Sequence, residues 1–160
     1  ASPPSSPSLR LIGCDWATGS QEILSAIASK TGKPIGGYNF NMLAPIDIWP
    51  LPDWQASGVI TIHAMEQLGD RFRPFLNYLL TKRPAVCVHL EPIVELYQPN
   101  NFLLDALAVE YHKKRGYLEG FLPALRELET GGKVKILDAR RLGFGSLYHE
   151  AYSVVVWRPR

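Results

Sequence analysis

Two apolar runs in the middle of the chain end in residues that can move protons. Gly58-Val59-Ile60-Thr61-Ile62 leads into His63-Ala64-Met65-Glu66-Gln67. Further on, Ala85-Val86-Cys87-Val88 leads into His89-Leu90-Glu91-Pro92. Histidine titrates near neutrality and can act as a base that deprotonates a nucleophile. His63 and Glu66 are therefore the candidate catalytic residues. Their plainer alternative is a packed strand-end histidine and an acid favoured at a helix start.

The surrounding pattern says what must position these groups. Short β-branched runs with polar residues only at their carboxyl ends read as buried parallel strands. Ligands of open α/β sheets bind at those ends. Residues 9–14 form a first apolar run stopped by Gly13, and residues 35–40 a weaker strand loosened by glycines. Between them Ile23, Leu24, Ile27 and Ala28 recur at helical spacing, with Ser20 as the expected N-cap and Gly32 as the stop. A loop over 43–57 carries Pro45, Pro50, Pro52, Trp49 and Trp54. The spacing predicts a strand over 58–63, a helix over 71–81 and a strand over 85–89. Two helices follow, over 103–114 with Leu104, Leu107, Ala108 and Tyr111 on one face, and over 117–129. A strand over 134–137, a turn over 143–146 and a strand over 152–157 close the chain. The last two strands lack a helix between them and should be antiparallel neighbours. The whole is an α/β sheet, mostly parallel, finished by an antiparallel strand at its edge.

Composition narrows the class. The 160 residues suffice for one domain with a core, and 46% hydrophobic with 20% charged is ordinary for a globular chain. A net charge of +2 is too mild to argue for nucleic acid or an anionic membrane. No apolar run approaches the roughly 20 residues of a membrane span. Cys14 and Cys87 both fall in expected buried strands, which suggests free thiols in a reducing, cytoplasmic setting. No cysteine or histidine cluster has zinc-ligand spacing, so no metal is expected. Residues 1–8, rich in Pro and Ser, read as a flexible linker ahead of a domain over 9–160.

The terminal hairpin on a mostly parallel sheet resembles the class I S-adenosylmethionine-dependent methyltransferases. Ile12-Gly13-Cys14-Asp15-Trp16-Ala17 resembles that family's second strand, Phe40-Asn41-Met42 through Pro45 its third, and Thr61 through Gln67 its fourth. His89-Leu90-Glu91-Pro92 resembles the fifth, and Glu150 through Trp157 the last. The resemblance implies a Rossmann-like three-layer α/β/α sandwich that binds S-adenosyl-L-methionine. It implies cofactor contacts from Asp15, Trp16, Asn41, Met42 and His63. Asp15 would accept ribose hydroxyls, and Asn41 would meet the adenine edge. Acceptor contacts would come from His89, Glu91 and His149. Plainer alternatives are a turn aspartate, a loop asparagine and an exposed hairpin histidine. Trp16, Trp49 and Trp54 could stack on adenine or serve as core. Lys113-Lys114-Arg115 reads as a solvated helix end.

One departure stands out. The family's first strand and Gly-rich loop are not visible upstream of Leu9. Either a second chain or segment supplies that strand, or residues 9–14 serve as it, with Gly13 and Gly19 bracketing the loop. Gly13-x-Asp15 fits the second-strand signature better. The expected activity is methyl transfer to a small-molecule or sugar-like oxygen or nitrogen acceptor. A non-catalytic subunit that completes its sheet with another chain is the alternative. A dinucleotide oxidoreductase is disfavoured, because no G-x-G-x-x-G follows the first strand.

Overall fold

The computed structural model describes residues 9–47, 53–146 and 149–160. The linker over 1–8 and Trp49 lie outside them. The chain divides into two compact units, Ala1–Pro50 and Leu51–Arg160.

The first unit is a strand–helix–strand. β1 (Leu11–Asp15) and β2 (Ile35–Asn39) pair in parallel, with Leu11 opposite Ile35 and Asp15 opposite Asn39. Parallel pairing requires a crossover, and α1 (Thr18–Thr31) supplies it. The strand glycines serve that helix. A Cβ on Gly13 would stand 2.5 Å from Leu24 Cδ1, and one on Gly37 would stand 3.2 Å from the Gln21 Cα. The glycines thus admit α1 close to both strands. The Gln21 amide donates to the Tyr38 carbonyl at 2.9 Å and to the Asp15 carbonyl at 3.3 Å, tying the helix to both strand ends. Gly32, at φ 64°, ends α1 as expected. Ser20 is not its N-cap. The helix begins at Thr18, and the Ser20 hydroxyl donates to Asp15 Oδ2 at 2.7 Å. Cys14 is exposed, contrary to expectation, while Cys87 is buried. A two-stranded sheet with one helix covers only part of its surface.

The second unit holds β3 (Gly58–Ile62), α2 (Arg73–Lys82), β4 (Val86–Glu91), α3 (Leu103–Arg115), α4 (Phe121–Thr130), β5 (Val134–Ser146) and β6 (His149–Pro159). The strand order is β3-β4-β6-β5. β3 and β4 are parallel, and β6 runs antiparallel to β4 and β5. The final two strands are antiparallel neighbours, as expected. However, the antiparallel strand lies between β4 and β5, not at the edge. The hairpin is also longer than its apolar core suggested. Residues 143–146, expected as a turn, belong to β5, where the pairing shifts register between Arg141 and Phe144 and again before Ser146. An outer strand carries polar residues freely, so hydrophobicity alone understates its length.

The core lies between this sheet and two helices. Phe72 and, on α2, Phe75, Leu76 and Leu79 are buried. So are Phe121, Leu122 and Leu125 of α4, with Cys87, Val155 and Trp157 of the sheet. α3 turns its expected face away from the core, and of those four residues Ala108 alone is buried. Asp105, Ala108 and His112 are its buried residues, and Leu104, Leu107 and Tyr111 are exposed. The cause is polar. Asp105 Oδ2 accepts the Gln98 backbone N–H and Arg141 Nη1, each at 2.7 Å, and these bonds hold the helix by its acidic side. Among the described residues, no helix is long and apolar enough to cross a membrane.

Candidate active site

At the carboxyl end of β3 the chain turns sharply. His63 adopts φ 49°, a left-handed conformation that costs a non-glycine residue about 1–3 kcal/mol. Its neighbours enforce it. The His63 backbone N–H donates to the Leu90 carbonyl at 3.1 Å. The Glu91 carboxylate accepts the Ala64 N–H on Oε1 at 3.1 Å and the Glu66 N–H on Oε2 at 3.2 Å. Between them Met65 is fully buried.

This turn brings Glu66 back onto its own histidine. His63 Nδ1 lies 2.9 Å from Glu66 Oε2. An ionised carboxylate only accepts, so Nδ1 is the nitrogen that carries a proton toward it, and in the neutral ring Nε2 is then the one with the lone pair. Nε2 is buried and meets no hydrogen-bond partner among the described residues. The ring of Tyr152 packs edge-on against the imidazole at 4.5 Å. Gln67 donates to the other Glu66 oxygen at 3.3 Å. The arrangement is an imidazole oriented through Nδ1, with Nε2 making no hydrogen bond among the described residues.

Beneath the turn runs a buried polar chain. Trp157 Nε1–H can only donate, and it lies 2.9 Å from His89 Nε2. His89 Nδ1 therefore carries the ring's proton and donates to Thr61 Oγ1, also at 2.9 Å. The Thr61 hydroxyl in turn bonds the Glu91 carboxylate. Burial pushes the His89 pKa down to about 3, so the ring is neutral. Burial also raises the Glu91 pKa, against the pull of the Thr61 hydroxyl and the backbone N–H groups. Neither His89 nor Glu91 has exposed surface. Both face inward as they stand, and their hydrogen bonds go to the protein itself. For His149 the backbone alone is described, opposite Ser146.

The first unit gathers the other expected residues. Asp15 Oδ1 accepts the Ala17 N–H at 3.0 Å and Oδ2 the Ser20 hydroxyl. These bonds hold its carboxyl below the usual range. Trp16 is 80% exposed. Its carbonyl accepts the Asn39 side-chain amide at 3.2 Å. Asn41 is exposed and bends its own loop, its Oδ1 accepting the Leu43 N–H at 2.9 Å. Met42 is half-buried. A carboxylate with spare lone pairs, an open indole and an open amide suit an adenosine. No glycine-rich backbone cradle occurs beside them among the described residues. Sequence reading missed Asn39, Gln21 and Tyr152. Asn39 was legible as the polar end of β2; the other two only their tertiary contacts mark out.

No family model and no curated protein matches the chain. Among solved structures it is similar to the methyltransferase domain of bacterial CtHen1-C. The match covers 93% of this chain and 76% of that one, at 12% identity and a TM-score of 0.55. At that identity the likeness is one of architecture: the chain has the Rossmann-like α/β fold of a methyltransferase domain.

Proposed function

We propose that this chain takes part in S-adenosylmethionine-dependent methyl transfer to a small-molecule or sugar-like oxygen or nitrogen acceptor. The observation that carries the reading is His63. It sits at a parallel strand's carboxyl end, on strained backbone, with Nδ1 committed to Glu66 and Nε2 uncommitted. Strained residues of this kind cluster at functional sites. The fold likeness to a methyltransferase domain supports the reaction class.

S-adenosylmethionine, when bound, supplies an electrophilic methyl group. His63 Nε2 would take the proton of an acceptor hydroxyl whose oxygen receives the methyl, with the carbon–sulfur bond breaking and the sulfur leaving as a neutral thioether. Glu66 orients the ring and stabilises the imidazolium that forms, as carboxylates do for catalytic histidines. A neighbouring side chain such as Tyr152 has to yield for an acceptor to reach Nε2. In the first unit, Asp15 would accept ribose hydroxyls, and Trp16, Asn41 and Met42 would hold the adenine. His89 and Glu91 support the acceptor side from beneath, with His149 at the hairpin.

Calorimetric titration of the chain with S-adenosylmethionine, and separately with NAD, tests this reading. Saturable binding of the sulfonium compound alone supports it. A folded chain that binds neither sinks it for the chain on its own.

A second reading has its own observation. β3 pairs with β4 alone among the described residues, and Ile60 and Ile62 are 65% and 57% exposed. Parallel strands are ordinarily covered on both faces, and an open apolar edge invites pairing. In this reading another chain or segment supplies a strand beside β3, and the chain is a binding or scaffold subunit. Fast amide exchange along β3 that slows on adding the partner would support it.

A further inference from the structure

We infer that Glu91 is a positioning residue: its buried carboxylate shapes the turn after β3 so that Glu66 meets His63 and leaves Nε2 as the basic nitrogen. The catalytic meaning rests on the reading of His63 given above; the positioning stands on geometry alone.

Glu91 and His63 share no hydrogen bond. Glu91 acts on the backbone instead. Its two oxygens take the N–H groups on either side of Met65, at Ala64 and Glu66. Those two bonds set the curvature of the segment that carries the Glu66 side chain. The same carboxylate is the last acceptor of a chain of donors. Trp157 donates to His89, His89 to Thr61, and Thr61 to Glu91. Each member's direction is forced by the one before, because an indole nitrogen cannot accept. The chain starts on β6, crosses β4 and reaches β3. It thereby ties the turn to three strands of the sheet. A carboxylate suits the end of this chain, since every group that faces it is a donor. An amide in its place would turn an NH2 toward one of them.

The test uses the whole chain labelled uniformly with 15N, and reads the His63 ring tautomer and the backbone amide exchange. The wild-type ring should be a single Nδ1–H tautomer. In Glu91→Gln, with amides of β4 and β6 unmoved, His63 should become a mixture of tautomers. The Ala64 or the Glu66 amide, whichever meets the new NH2 in place of its acceptor oxygen, should exchange about tenfold faster, as expected for one lost hydrogen bond. Glu66→Gln is the reference for direct loss of the pair. A folded Glu91→Gln protein with unchanged tautomer and unchanged exchange overturns the inference. Should that variant not fold, wild-type exchange decides. Ala64 and Glu66 protected well beyond Gln67 supports the inference; exchange typical of an open loop overturns it. Neither readout needs cofactor or acceptor. A chain that holds His63 in one tautomer yet transfers no methyl group would refute the proposed function and leave the positioning role intact.

Discussion

Acidification should weaken the fold through His89, by an amount that can be worked out. In the unfolded chain the ring titrates at its ordinary value of 6.5, and in the fold burial pushes it down to about 3. Between those values the unfolded state binds a proton that the folded state refuses. The stability tied to a neutral His89 is therefore fully present above pH 6.5. It is lost progressively as pH falls toward 3. From pH 7 to pH 5 the loss is about 2 kcal/mol, at about 1.4 kcal/mol per pH unit of separation. Glu91 works in the opposite direction. Its raised pKa favours the folded state at low pH, and that contribution falls as pH rises through the carboxylate range. Comparing wild type with His89→Gln isolates the histidine, because Glu91 is common to both. Urea unfolding at pH 7 and pH 5 is the assay. The wild type should lose about 2 kcal/mol more than the variant over that interval. Equal losses would refute the reasoning, as would an imidazole spectrum showing His89 protonated in the folded protein at pH 5.

Three further outcomes follow from the geometry. Asp15→Ala should weaken S-adenosylmethionine binding while costing only about 1 kcal/mol of stability, the worth of its bonds to Ala17 and Ser20; a folded variant with unchanged affinity removes Asp15 from the site. His63→Gly should be more stable than His63→Ala by about 1 kcal/mol, because only glycine adopts φ 49° without strain. Urea midpoints that rank the two alike would show that the turn stores no strain. Gly37→Ala should destabilise the first unit by about 1–3 kcal/mol, since its methyl would meet the Gln21 backbone of α1; thermal melts that coincide with wild type would place α1 farther from β2.

The sequence alone determined the number, order and type of most elements, because period-2 and period-3.6 patterning is a local property of the chain. β3, α2 and β4 lie within two or three residues of where periodicity put them. Proton-handling residues at strand ends were legible for the same reason, as polar interruptions of apolar runs. Tertiary structure decided what those residues face. In β4 alternate residues point to opposite sides, and Cys87, His89 and Glu91 share the buried side. Nothing in the strand itself says which side the core covers. The sequence therefore could not show that His89 and Glu91 face the protein interior. Nor could it turn α3 onto its polar face, since the Arg141 that bonds Asp105 lies 36 residues away. The placement of β6 between β4 and β5 is likewise a matter of long-range pairing, to which the periodicity of a single strand is blind. His63 combines both kinds of information. Its chemistry is a property of its residue type, but its free Nε2 is a product of the fold, made by a carboxylate three residues on and another on the next strand.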